Sequence, residues 1–230
     1  MPKNQPDTAI LLFARNPEDE AQSKEWFSGK TKHNLSTAQK LFSRAQKTAT
    51  ASGFDVHLIT SNDQKGTSFS ERFHHALKDV FELGYRKVIA IGSDSPQLNS
   101  THLRKAERLL LQKEIVVGPD NRGGIYLLAL NKSAYKNLDL YSIPWQTSGV
   151  LNAIIESGFS ISELERLHDL NTLSDFYRIL NLNSVHIQLR IFLSELLVLI
   201  KSCSCIHLEY KRMSAIISVG LLHRGPPAFI

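Results

Sequence analysis

The chain has 230 residues, 42% of them hydrophobic and 21% charged, with a formal net charge of +5 and a pI near 9.2. That composition excludes a disordered polyelectrolyte and is long enough for one large domain with a core, or a domain plus an appendage. Basic residues such as Lys24, Lys30, Lys32, Arg44, Arg72 and Arg104 are scattered and form no run, which favours a small anionic ligand or a plain solvated surface over nucleic acid.

Residues 8–14, T-A-I-L-L-F-A, form a continuous apolar run and read as a strand buried on both faces. Residues 16–34 are polar and read as a long loop, after which Ser36 caps a helix running to about Ala51, stopped by Gly53. The pattern repeats as a strand at 54–60, a helix at 68–83, a strand at 87–91, a helix at 101–111 capped by Ser100, and a strand at 115–117. A polar turn with Gly123 and Gly124 then leads into a second apolar strand that ends near Leu130. Strands alternating with crossover helices predict a three-layer α/β/α architecture with a mostly parallel sheet, whose ligands bind beyond the carboxyl ends of the strands.

Past Leu130 the expected elements are a helical turn at 133–137, a loop at 144–148, a helix at 148–156, a short strand at 164–167 and a helix at 173–180. The domain is expected to span 1–183. Residues 184–230 form an apolar, partly helical extension, with a long helix at 185–201, that packs on the domain or mediates self-association into a homo-oligomer. The longest apolar stretch, 191–200, is short and broken by Glu195, so no transmembrane segment is expected. The start, M-P-K-N-Q-P-D-T, lacks a signal-peptide pattern, and Cys203 and Cys205 are too close to bridge readily. A reducing, cytoplasmic setting follows as the expectation.

The sharpest chemical motif is I-A-I-G-S-D-S-P, residues 89–96, which puts Asp94 at the tip of a buried strand. A carboxylate there suits magnesium or manganese held against a diphosphate, because hard cations prefer oxygen. A second oxygen ligand is required, and Asp169 or Asp120 would supply it; Asp169 would serve equally well as a cap for the helix that follows. Gly123 and Gly124 would let backbone amides approach a nucleotide or sugar, with positive φ accounting for both, or would simply close a hairpin. Arg15, Lys24, Lys30 and Lys32 would neutralise phosphates, and Trp145 would stack on a base or sugar or else belong to the core. Glu71 and Arg72 begin a helix as an acid, an ion-pair partner or a helix-dipole pair. The adjacent His74 and His75 point to different faces and are not joint metal ligands.

Taken together, F-A-R-N-P (13–17), G-S-D-S-P (92–96), G-P-D-N-R-G-G-I-Y-L-L-A-L (118–130), I-P-W-Q-T-S (143–148) and D-L-N-T (169–172) resemble, in order, the bacterial GT-A-like family known as glycosyltransferase-like or selenodomain-associated transferases. The family lies in the nucleotide-diphospho-sugar transferase superfamily, and the resemblance covers roughly residues 8–181. It implies a Rossmann-like GT-A fold, a nucleotide or nucleotide-sugar ligand, and a divalent metal held by Asp94 with Asp169 from the D-x-D-T position. On that reading Asp94 and Asp169 are catalytic and metal-binding, while Arg15, Lys24, Asp120, Arg122, Gly123, Gly124 and Trp145 bind substrate. Three departures stand out. The family's basic loop after the first strand is reduced to Lys24, its D-G-G-Y becomes R-G-G-I at 122–125, and the second aspartate of D-x-D-T becomes Asn171.

These features lead to a metal-dependent glycosyltransferase using a nucleotide-diphospho-sugar donor. The alternatives are a nucleotidyltransferase acting on a nucleoside triphosphate and a phosphorylated acceptor, and a catalytically lapsed GT-A-like binding protein.

Overall fold

The computed structural model describes residues 7–24, 26–182, 185 and 187–198. Its first compact unit, Met1–His186, contains a six-stranded sheet in the order β2-β1-β3-β5-β4-β6. The strands are β1 (Thr8–Phe13), β2 (Asp55–Ile59), β3 (Lys87–Ile91), β4 (Ile115–Pro119), β5 (Ile125–Asn131) and β6 (Ile161–Glu163). Pairings β1–β2, β1–β3 and β4–β6 are parallel, whereas β5 runs antiparallel to both β3 and β4. The mostly parallel α/β architecture anticipated from the alternation is therefore present, with β5 as the one reversed strand.

The helices are α1 (Pro17–Lys24), α2 (Thr31–Thr50), α3 (Phe69–Glu82), α4 (Ser100–Leu109), α5 (Lys132–Asn137), α6 (Val150–Ile155) and α7 (Leu173–Leu180). The period-2 alternation of β1, buried from Thr8 to Leu12, divides the core. Ala9 and Leu11 join a cluster with Phe73, Leu77 and Val80 of α3 and with Ile154 of α6. Ile10 and Leu12 face the other way, against Ala45 and Ala49 of α2 and Leu103 of α4. Burial of both faces explains why the strand reads as an unbroken apolar run.

Several boundaries differ from expectation for identifiable reasons. The segment expected to be one long loop contains α1, whose P-E-D-E start puts proline at a position where its missing N–H costs nothing and acids near the positive helix end. Helix α2 begins at Thr31, so Ser36 lies inside it and is no cap. The cap of α4 is Asn99, whose side chain accepts from Thr101 and His102 amides, and not Ser100. The strand expected at 164–167 forms earlier, at Ile161–Glu163. Leu167 contributes one isolated bridge, to Asp120. Buried Leu164 and Leu167 gave those residues the look of a strand; their amides donate to the Val117 and Pro119 carbonyls at 2.8 and 3.2 Å, but the residues between them are not part of a strand.

The second unit, Ile187–Ile230, is helical over residues 187–198. Residues 199–230, with the rest of the expected long helix and both cysteines, lie outside the described residues. Among the described residues no helix is long and apolar enough to cross a membrane.

Candidate active site

A cavity of about 570 Å³ opens at the carboxyl ends of β1, β3 and β4, where the crossover rule puts a ligand. Asp94, Asp120, Asp169, Arg15, Lys24, Arg122, Gly124 and Trp145 all line it, together with Asn171 and Ser148. The structure thus gathers the site residues expected from sequence around one opening. Gly123 lies at its rim as the turn that shapes it, and Lys30 and Lys32 are not among the lining residues.

Asp94 follows the end of β3, and its Oδ2 accepts from Lys24 Nζ at 2.9 Å. The same ammonium contacts Glu20 Oε1 at 3.0 Å and donates to Asn171 Oδ1 at 2.6 Å. Lys24 is largely enclosed, with 12% of its side chain exposed. Burial opposes charge on both partners, but the Asp94–Lys24 attraction outweighs it: the Asp94 pKa is lowered and that of Lys24, which also has Glu20, is raised.

Asp169 has the opposite fate. Its carboxyl accepts from Ser95 Oγ, yet burial and the neighbouring charge of Asp94, with a smaller contribution from Asp120, push its pKa up to about 8. The loop carrying it is tied to β3 by the Leu170 amide donating to the Asp94 carbonyl at 2.9 Å, and to the α1–α2 connection by Trp26 Nε1 donating to the Leu170 carbonyl at 2.8 Å.

Asp120 is buried, and Oδ1 accepts from the amides of Arg122 at 2.7 Å and Gly124 at 2.8 Å. It therefore closes the turn that follows β4 while remaining in the cavity wall. The glycines act differently from each other, contrary to the expectation of positive φ at both. Gly123 has φ +89, and an added Cβ would lie 2.2 Å from the Ser148 carbonyl oxygen. Gly124 has no positive φ; its Cβ would collide with Asp120 Oδ2 at 2.6 Å, and its amide is spent on Asp120. Gly123→Ala is expected to destabilise the fold by about 2–4 kcal/mol, strain and overlap together. Gly158→Ala, at φ +83 in open space, should cost only about 1–2 kcal/mol of backbone strain. Urea unfolding of both variants checks the difference, and equal losses would show that the Ser148 contact is unimportant.

Arg122 lines the cavity, but its guanidinium is engaged: it donates to Asp175 Oδ1 at 2.6 Å, at the start of α7. Asp175 was not singled out from sequence, although T-L-S-D at 172–175 has capping-box spacing and forms that box. Glu20, buried beside Lys24, and Ser95, the buried hydroxyl that donates to Asp169, were missed as well. Trp145 donates through Nε1 to the Leu140 carbonyl at 2.7 Å and packs edge-on to Phe73, so it is a core aromatic that also forms part of the cavity wall. Beside it Gln146 adopts φ +63, an uncommon conformation for a residue with a side chain.

The donor set fits a hard divalent cation in kind: Asp94 and Asp169 are carboxylates whose mutual repulsion a cation would relieve. No group of three His, Cys, Asp or Glu side chains forms a ready cage among the described residues, so substrate oxygens and water would complete the shell.

The sequence profile of a bacterial family described as "Uncharacterized protein conserved in bacteria (DUF2064)" matches residues 12–147, more than half of the chain. The chain belongs to this family. The matched segment runs from β1 through the loop holding Trp145 and contains Asp94, Asp120 and the glycine turn. Among solved structures, a provisionally described nucleotide-diphospho-sugar transferase from Desulfovibrio desulfuricans G20 superposes with a TM-score of 0.74 at 20% identity, covering 86% of this chain and 98% of that one. This likeness shows that the chain shares that protein's fold. More distant are Rv0371c in complex with manganese from Mycobacterium tuberculosis H37Rv, at 16% identity, 76% and 98% coverage and TM-score 0.44. A 4-diphosphocytidyl-2C-methyl-D-erythritol synthase from Anaerococcus prevotii DSM 20548 has 9% identity, 73% and 94% coverage and TM-score 0.48. No curated protein matches the chain in sequence.

Proposed function

We propose that this DUF2064 protein is a metal-dependent glycosyltransferase that uses a nucleotide-diphospho-sugar donor. The observation that carries the reading is the Asp94–Asp169 pair in one cavity, where burial and then the charge of Asp94 push the Asp169 pKa up to about 8. Lys24, held by Asp94, Glu20 and Asn171, lowers the Asp169 pKa by less than burial and Asp94 raise it, so the pair still favours an added cation. The shared fold with the Desulfovibrio protein supports a nucleotide-sugar ligand.

On this reading Asp94 and Asp169 hold magnesium or manganese, which when bound neutralises charge on the departing diphosphate. Lys24 stands with the two acids on the diphosphate side, Arg15 lines the wall shared with the neighbouring groove, Trp145 offers a flat apolar wall, and the Asp120–Gly124 turn fixes the opposite rim. The acceptor hydroxyl oxygen bonds to the anomeric carbon as the bond from that carbon to the diphosphate breaks. The hydroxyl proton ends on the released diphosphate or in solvent. A triphosphate-binding role is less well served, because of the three lysines expected to hold it only Lys24 lines the cavity.

Titration of nucleoside diphosphates and their sugars with and without manganese tests the proposal, alongside an assay for pyrophosphate release from triphosphates. Metal-dependent diphosphate binding without pyrophosphate release is expected; pyrophosphate release would instead establish nucleotidyl transfer. The pH dependence is specific. Asp169's raised pKa means that its contribution to stability is present below the unfolded value of 3.8 and is lost as pH rises toward about 8. A cation that binds the ionised form reverses this loss, so manganese affinity should climb roughly tenfold per pH unit below about 8. The rise in melting temperature on adding manganese should accordingly be larger at pH 8 than at pH 6, and equal rises would remove Asp169 from the metal site.

A further inference from the structure

We infer that the groove beside the main cavity is a second anion-binding subsite, and that the acceptor substrate carries a phosphate or carboxylate that docks there. The inference rests on the reading of the main cavity as the donor site. The groove, of about 530 Å³, is walled by Arg15, Ser23, Ser61, Gln64 and Arg72, with Asp19 at its side. Arg15, Gln64 and Arg72 line both the groove and the main cavity and so form their common wall.

Charge in the groove is unbalanced toward the positive. Arg72 donates to the Thr67 carbonyl at 2.8 Å and forms no ion pair among the described residues. Its neighbour Glu71 is consumed by the start of α3, accepting from the Thr67 amide and hydroxyl, each at 2.7 Å, and from the Ser68 amide. Arg15 donates to Ser23 Oγ at 2.9 Å and approaches Glu20 at 3.4 Å, but Glu20 also serves Lys24. Asp19, the one carboxylate in the wall, accepts from Ser61 Oγ at 2.5 Å. Asp94, Asp120 and Asp169 line the main cavity and are absent from the groove.

The walls are also held in place before any ligand arrives. Gln64 Nε2 donates to the Ala14 carbonyl at 3.1 Å, and the Asn16 amide donates to Ser61 Oγ at 3.0 Å, so the loops after β1 and β2 are fastened together. Gly66 packs so closely on α3 that an added Cβ would lie 2.6 Å from Glu71 Cβ. Two guanidinium forks in a preformed wall match the oxygens of a phosphate or carboxylate, whereas a neutral polyol has no use for two cations. The donor's diphosphate belongs with the metal-binding carboxylates of the main cavity. An anion in the groove is then a separate group, placed so that the rest of its molecule passes the shared wall toward the reacting carbon.

Calorimetric titration of the full chain with inorganic phosphate tests this, first alone and then in the presence of manganese and saturating nucleoside diphosphate. Saturable phosphate binding in both conditions is expected. Arg72→Gln should weaken it about tenfold or more, and Arg72→Lys, which keeps charge but loses the fork, should fall between. Circular dichroism melting shows that each variant is folded. Absence of saturable phosphate binding, displacement of phosphate by the nucleoside diphosphate, or an Arg72→Gln variant that binds phosphate as well as the parent overturns the subsite. Arg72-dependent phosphate binding in a protein that fails to bind any nucleoside diphosphate with manganese would leave the subsite standing and sink the donor-site reading.

Discussion

Replacing Asp94 with asparagine is expected to reduce sugar transfer by on the order of a thousandfold or more, with loss of metal-dependent nucleotide binding. Asparagine keeps the shape and can still accept from Lys24, so the 2.9 Å contact survives as a hydrogen bond while the negative charge disappears. Lys24 keeps Glu20 at 3.0 Å, and the Asp94 carbonyl keeps the Leu170 amide, so the local backbone has no reason to move. The substitution therefore separates charge from structure. A second readout is independent of turnover: Asp94 is the principal charge that raises the Asp169 pKa, so the Asp169 carboxyl should ionise at lower pH in the variant. Carboxyl-carbon NMR titration measures this directly. Unaltered Asp169 titration would mean that the two groups are not coupled, and unaltered manganese affinity would place the metal elsewhere.

The sequence made the layered sheet legible because its central strands are buried on both faces, and burial of that kind leaves unbroken runs such as residues 8–14 and 87–91. Asp94 was legible for a related reason, since a carboxylate immediately after such a run and a glycine has few places to go except the ligand-binding end of the sheet. What remained hidden depended on side chains distant in sequence. Lys24 meets Asp94 and Asn171 across 70 and 147 residues, and nothing in the local pattern of α1 announces those partners. The reversal of β5 was equally invisible, because a strand between two others is apolar whichever way it runs. Arg122, expected to bind substrate where the resembled family has an aspartate, turns its guanidinium to Asp175, 53 residues away, in a capping box recognisable only once the helix start is known.

Asp175 is where the second large effect is expected, and it joins fold to site. Its side chain is nearly inaccessible and accepts four hydrogen bonds: from the Asn171 amide at 3.0 Å, the Thr172 amide at 2.8 Å, the Thr172 hydroxyl at 3.0 Å and Arg122 at 2.6 Å. Asp175→Ala orphans these donors at the amino end of α7 and should destabilise the protein by about 3–5 kcal/mol. Asp175→Asn should also be costly, because both carboxylate oxygens are used as acceptors and an amide offers only one. Arg122→Ala removes one bond from a side chain 45% exposed, and after solvent screening should cost about 1 kcal/mol or less. The Asp175 pKa is lowered: burial opposes ionisation, but the Thr172 and Asn171 hydrogen bonds and then Arg122 outweigh it. Its stabilisation is therefore present above the unfolded value of 3.8 and is lost as pH falls through the lower folded one. Urea unfolding at pH 7 and pH 3 should show the parent losing more stability in acid than Asp175→Ala does; parallel losses would remove Asp175 from the acid-sensitive set. Because its hydrogen bonds hold Asn171, which accepts from Lys24, and the loop that carries Asp169, the same substitution should lower metal affinity in whatever fraction remains folded. A folded Asp175→Ala protein with parental manganese affinity would show that the D-L-N-T loop keeps its shape without α7's cap.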